Sequence, residues 1–162
     1  MLTGMSLTKE QAVEKIKNFC AWQERCHNDV RSKLYSFGLK KTEVEEVIGH
    51  LIEHGFLNEE RFAKQYAGGK FRIKHWGRKK IQYELQQKGV SAYCIKVGLK
   101  EIDEEMYVTV LRKLAFAKWK TLAGQNKLVR QSKTYAYLLQ KGYENVLINR
   151  VIKEINTAVN KP

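Results

Sequence analysis

The apolar positions of this chain repeat. Gly38, Gly89 and Gly142 lie 51 and 53 residues apart, and each follows a leucine by four residues: Leu34, Leu85 and Leu138. Six, ten and thirteen residues beyond each glycine the chain is apolar again: Val44, Ile48 and Leu51; Ile95, Leu99 and Ile102; Ile148, Ile152 and Ile155. A period of this length marks a repeat architecture, in which each unit buries its apolar face against its neighbours. No segment shows sustained period-2 alternation, so the expected fold class is all-α, without a sheet.

Local signals divide each repeat into three helices. Thr8 and Gln11 have capping-box spacing ahead of the stripe Val13, Ile16, Phe19 and Cys20. A second helix is expected from about Asn28 to Phe37, with Val30, Leu34 and Phe37 on one face and Gly38 as its left-handed stop. Thr42 and Glu45 suggest another capping box before Val44, Val47, Ile48 and Leu51, and Gly55 ends that helix. Asn58 opens the second repeat, with Glu59 and Glu60 in its first turn, where the helix dipole favours anions. Gly68-Gly69 is expected to weaken this helix and Gly77 to separate it from the next. Ser91 caps a third helix, where Gly98 replaces the Val47 of the first repeat and predicts short, thin packing. Asp103 opens the third repeat, with Tyr107, Val110, Leu111 and Leu114 on one face. Gly124 and Gly142 then mark further breaks. The result is nine helices in three tandem three-helix repeats, at 6–56, 57–102 and 103–159.

Charge changes the picture. The 162 residues carry a formal net charge of +13. Residues 1–69 hold ten Lys/Arg and ten Asp/Glu, while residues 70–162 hold twenty and seven. Such asymmetry points to a basic face that meets a polyanion or an acidic protein, the bland alternative being solvated charge that confers solubility. Two acid-free runs are the candidate surface. One carries Lys70, Arg72, Lys74, Arg78, Lys79 and Lys80, interleaved with Phe71, His75 and Trp76. The other carries Arg112, Lys113, Lys118, Lys120, Lys127, Arg130 and Lys133, around Phe116 and Trp119. Lysines and arginines can neutralise phosphates, and aromatics can stack on unpaired bases. Trp76 and Trp119 are read instead as packing residues.

Catalytic and metal patterns are poor. His50 and His54 are spaced i, i+4, but Leu51 stands where a zincin needs Glu, and two ligands are too few for a closed zinc site. Gly68-Gly69-Lys70 lacks the spacing of a P-loop. Cys20, Cys26 and Cys94 form no CxxC pair and read as free thiols in a reducing cytosol. The start has no apolar signal region, and no run of eighteen apolar residues exists. No enzyme, cofactor or metal is expected.

The run Gly55-Phe56-Leu57-Asn58-Glu59-Glu60-Arg61-Phe62-Ala63 resembles the junction between the first two repeats of RecX proteins. So does Gly77 through Val90, with its Ile81-x-x-Glu84-Leu85-x-x-Lys88-Gly89 core. Arg25 to Leu39 and Gln131 to Ile152 resemble the family's opening and closing repeats, so the likeness covers roughly 9–156. It departs at Lys33-Leu34, where the family often has Glu-Leu. The resemblance implies an elongated, curved helical array that binds the groove of the RecA–DNA filament and inhibits its ATPase and strand exchange. The implied partners are the RecA recombinase filament and single- or double-stranded DNA, with no membrane. The protein itself is expected to be a cytoplasmic monomer. Two alternatives stay open: a sequence-independent nucleic-acid-binding module without a recombinase partner, and a helical scaffold for an acidic protein.

Overall fold

The computed structural model describes residues 4–159. Among these residues there are nine α-helices, one π-helical turn and no strand. The helices are α1 (Lys9–Trp22), α2 (His27–Ser36), α3 (Lys41–Glu53), α4 (Glu59–Gly69), α5 (Arg78–Gln87), α6 (Ala92–Leu99), α7 (Glu104–Thr121), α8 (Lys127–Lys141) and α9 (Asn145–Val159). The chain forms two compact units. The first runs to Tyr66 and adds Leu85–Gly98; the second comprises Ala67–Glu84 and everything from Leu99 onward. Helices α4, α5 and α6 are thus shared between the units, and the division falls inside the stretch 57–102.

In the first unit α1, α2 and α3 pack on one another. Their core is Ala12, Ile16, Cys20, Val30, Leu34, Val44, Val47, Ile48 and Leu51, closed by Leu39 and Leu57. Each fully buried aliphatic side chain contributes about 1.5–3 kcal/mol. The Thr8 box forms, with Gln11 N donating to Thr8 Oγ1 at 3.2 Å and Thr8 N to Gln11 Oε1 at 3.1 Å. Its stripe is shifted: Ala12 is buried, whereas Val13 and Phe19 are only partly covered. Helix α2 starts one residue earlier than expected because Cys26 Sγ accepts from Asp29 N at 3.4 Å. The Thr42–Glu45 box does not form. Helix α3 begins at Lys41, Lys40 N donates to Glu43 Oε2 at 2.9 Å, and Glu45 is left to pair with Arg31.

Gly98 corrects another expectation. A Cβ at that position would lie 2.7 Å from the carbonyl carbon and oxygen of Ala63. Its glycine therefore permits closer packing of α6 on α4, not thinner packing, although α6 is short as anticipated.

In the second unit α7, α8 and α9 pack on one another around Tyr107, Leu111, Ala115, Trp119, Leu138, Ile148 and Ile155. Ala115 and Trp119 continue the buried stripe of α7, while Val110 and Leu114 are half-buried. Gly68-Gly69 does not break its helix. Instead α4 leads into the π turn Lys70–Lys74, and His75 closes it at φ 56°, the one positive φ outside glycine among the described residues. Left-handed backbone costs a side-chain-bearing residue roughly 1–2 kcal/mol. The turn is held regardless, because neighbouring groups tie it from several directions.

Candidate functional site

Those ties centre on an aromatic row. Phe71, Tyr107 and Tyr143 lie with ring centroids 5.7 and 5.1 Å apart, all three buried. The Tyr143 hydroxyl donates to the His75 carbonyl at 2.8 Å, and Lys141 Nζ donates to the Lys74 carbonyl at 3.1 Å. Gly77 N donates to the Lys141 carbonyl at 2.8 Å and Lys79 N to the Gly142 carbonyl at 3.0 Å. The end of α8 thus satisfies backbone donors at the start of α5, where a helix otherwise leaves them orphaned. Gly77 is required here: a Cβ would stand 2.3 Å from the Gly142 carbonyl. The segment 70–80 is therefore a fixed platform and not a free loop.

The platform sorts its cations into two kinds. Arg78 turns inward. Its guanidinium lies 3.9 Å from the Tyr107 ring centroid and pairs with Glu104 and, at 3.8 Å, with Glu144. Arg78 N also donates to the Tyr107 hydroxyl at 3.1 Å, which donates to Glu144 Oε2 at 2.9 Å. Burial holds the Tyr107 and Tyr143 hydroxyls well above the ordinary tyrosine range. Arg72, Lys74 and Lys79 are exposed, and neither they nor half-buried Lys80 reach an acid within ion-pair distance among the described residues. Lys70 and Lys80 stand 5.0 and 4.6 Å from the Trp76 ring, which is half-buried.

The second run behaves likewise. Arg112 forms a two-pronged pair with Glu154, at 2.9 and 3.1 Å, which raises the arginine pKa and lowers that of the glutamate. Arg130 folds onto buried Trp119, 4.2 Å from its ring, and donates to its carbonyl at 2.7 Å. Lys113, Lys118, Lys120, Lys127 and Lys133 pair with no acid among the described residues. Lys118 stands 5.2 Å from the Tyr137 ring, and Lys120 stands 4.5 Å from the exposed Phe116 ring.

The two runs belong to the same unit but not to one spot. The platform joins the end of α8, while the second run extends from the middle of α7, at Arg112 and Lys113, to the middle of α8, at Lys133. Along α8, Lys127 lies roughly 21 Å and Lys133 roughly 12 Å from Lys141 at 1.5 Å per residue. Lys141, Tyr107, Tyr143 and Glu144 were not among the candidate residues, and they are what holds the platform. The sequence signals for them were Tyr107 on the apolar face of its helix and Tyr143 directly after Gly142. No helix among the described residues is long and apolar enough to cross a membrane.

Comparison with known proteins gives consistent relatives. Family models for the second and third three-helix domains of RecX match residues 58–99 and 104–152. The regulatory protein RecX of Clostridium perfringens strain 13 is 31% identical over 133 residues, 81% of this chain and 62% of that protein. RecX of Clostridium botulinum strain Alaska E43 is 31% identical over 150 residues, 90% of this chain and 67% of that one. RecX of Chlorobium limicola is 27% identical over 150 residues, 91% of either chain. The chain thus spans less than two thirds of the clostridial relative named first. The crystal structure of RecX from Lactobacillus salivarius superposes with a TM-score of 0.83 at 22% identity, covering 92% of this chain and 97% of that one. That last likeness is one of fold.

Proposed function

The chain belongs to the RecX family, and from that premise we propose that it is a non-enzymatic regulator of the RecA recombinase. It seats in the groove of the RecA–DNA filament and acts mainly as an inhibitor of ATP turnover and strand exchange. The observation that carries this reading is the set of cations that meet no acid among the described residues: Arg72, Lys74, Lys79 and Lys80 on a platform held by backbone hydrogen bonds, and Lys113, Lys118, Lys120, Lys127 and Lys133 along α7 and α8. A filament presents phosphates and acidic protein surface in a fixed geometry, and a platform whose backbone is already held meets it without a backbone-ordering cost, leaving only the exposed side chains to be ordered on contact. Most of these cations are lysines, which act as point charges and not as forks, so the contact is long-ranged and weakened by salt. The protein works as a cytoplasmic monomer, with repeat units at 6–56, 57–102 and 103–159.

The test is to titrate the protein into preassembled RecA filaments on single-stranded DNA and follow ATP hydrolysis. Inhibition well below one protein per RecA protomer is expected. No inhibition, alongside tight DNA binding in the same buffer, would contradict the proposal and favour a nucleic-acid module.

A further inference from the structure

Half of the twelve Lys/Arg of the first unit sit in ion pairs. Lys9 pairs with Glu46, Arg31 with Glu45, Arg61 with Glu24, Lys64 with Glu60 and Lys88 with Asp29. Lys15, Arg25 and Lys33 do not: among the described residues no acid lies within ion-pair distance of them. They come from α1, from the link after it and from α2. All three line one open pocket of about 550 Å³, together with Phe19, Trp22 and Phe37. The Arg25 guanidinium lies 3.8 Å from the Phe19 ring centroid, and its Nε donates to the Phe19 carbonyl at 3.1 Å, which fixes the fork. Lys33 Nζ is 5.7 Å from the Phe19 ring and 5.6 Å from the Phe37 ring, and Lys15 Nζ is 6.0 Å from the Phe37 ring. Trp22 stands beside them 84% exposed.

Three cations around an aromatic floor suit a ligand that is both anionic and apolar. A nucleic-acid strand fits less well. Successive base stacking needs several open ring faces; those of Phe19 and Phe37 already carry a guanidinium and ammonium groups, which leaves Trp22 as the one open ring of the pocket. The cations also converge on one spot, whereas a phosphate backbone needs them strung along its path. A carboxylate fits the Arg25 fork and the two ammonium groups, and a bulky apolar side chain fits against Trp22.

We propose that this pocket is a docking site for an acidic peptide segment carrying one bulky apolar side chain. The carboxylates engage Lys15, Arg25 and Lys33, and the apolar side chain covers Trp22. The site is separate from the cations of the second unit and does not depend on the recombinase reading.

The test uses the full chain labelled with nitrogen-15, following the three tryptophan indole N–H signals. The probe is acetyl-Asp-Glu-Phe-Glu-Asp-amide. The expected result is a saturable shift of the Trp22 indole, larger than that of Trp76, with the Trp119 indole unmoved. Replacing the phenylalanine of the probe by glycine, or introducing Arg25→Glu with Lys33→Glu, each weakens binding by about tenfold or more. Unchanged backbone amide signals of Ile16, Val30 and Leu34, buried in the core of the same unit, show that the double variant keeps its fold. The proposal is overturned if the Trp22 indole does not respond, or if the double variant binds the probe as well as the parent. It is equally overturned if a short oligothymidylate shifts the Trp22 indole as strongly, or if that signal moves with protein concentration alone.

Discussion

The two compact units hold similar turns and unequal charge. The first carries 12 Lys/Arg against 10 Asp/Glu; the second carries 18 against 7. What separates them is where the acids go. In the first unit Glu45, Glu46, Glu24, Glu60 and Asp29 each meet a cation. In the second, Glu104, Glu144 and Glu154 are committed to Arg78 and Arg112, and among the described residues Lys74, Lys79, Lys80, Lys113, Lys118, Lys120, Lys127 and Lys133 meet no acid within ion-pair distance. A second helix ending at a left-handed glycine recurs in both units, but its junction differs. Asn28 Nδ2 donates to the Lys88 carbonyl at 3.0 Å beside Gly89, a side-chain contact. Beside Gly142 the junction is main chain to main chain. The backbone-locked junction is the one that presents the unpaired cations.

The sharpest way to break this comparison is at the two glycines. A Cβ on Gly142 would lie 2.3 Å from Lys80 Cβ and 2.6 Å from Lys80 N, atoms that cannot move without the helix. Gly142→Ala is expected to cost about 3 kcal/mol or more in urea unfolding. A Cβ on Gly89 meets the far end of the flexible Asn28 side chain, at 2.5 Å. Gly89→Ala is expected to cost only the left-handed strain, about 1–2 kcal/mol. Equal losses would show that the two junctions are equivalent.

Alkaline pH separates the units next. The second unit buries Tyr107 and Tyr143, whose folded-state pKa values are raised by burial. A raised folded pKa means that the unfolded state releases its proton first. Their stabilisation is therefore complete below the unfolded tyrosine value of about 10 and is lost as pH climbs beyond it. The first unit instead buries all three thiols, and burial pushes Cys26 up to about 11. By the same sign its stabilisation starts to fall earlier, above the unfolded thiol value of about 8.5. Thiol alkylation on raising pH should accelerate before the last two tyrosines ionise in ultraviolet absorbance. The reverse order would contradict the assignment of buried groups.

A smaller effect distinguishes Arg78 from its neighbours. Arg78→Ala loses the Tyr107 stacking and two ion pairs, and should destabilise by about 1–2 kcal/mol. Arg72→Ala and Lys79→Ala should stay within about 0.5 kcal/mol, as surface substitutions do. Of opposite sign, Gly49→Ala falls at an exposed position of α3 with nothing near the added methyl. It should stabilise the protein by about 0.5–1 kcal/mol, measured by thermal melting.

The repeat was legible because its signals are local. The left-handed turns at Gly38, Gly89 and Gly142 and the caps at Thr8, Asn58 and Asp103 each need only a few neighbouring residues. Eight of the nine residues at the three periodic offsets are buried, Leu99 being partly exposed. What was not legible depends on distant partners. Arg78 reads as one more cation in a basic run until Glu104 and Glu144 are beside it. Gly98 reads as a weak spot until Ala63 is opposite. Lys15, Arg25 and Lys33 carry no common motif, since three separate stretches of chain bring them together. Charge runs on a helix likewise conceal distance: the second acid-free stretch reads as one patch, although it extends from the middle of α7 to the middle of α8.

The central claim is that unpaired cations of the second unit, and not cations in general, hold the recombinase filament. It is tested most directly by two charge-reversal triples in the RecA ATPase assay. One is Arg72→Glu, Lys74→Glu and Lys79→Glu, which leaves Arg78 in place to keep the platform folded. The other is Lys9→Glu, Arg31→Glu and Lys64→Glu, whose parents are already paired with acids. The first triple should raise the concentration needed for half inhibition by about tenfold or more, with a correspondingly shallower salt dependence. The second should leave it within about twofold. Equal losses from the two triples would contradict the account.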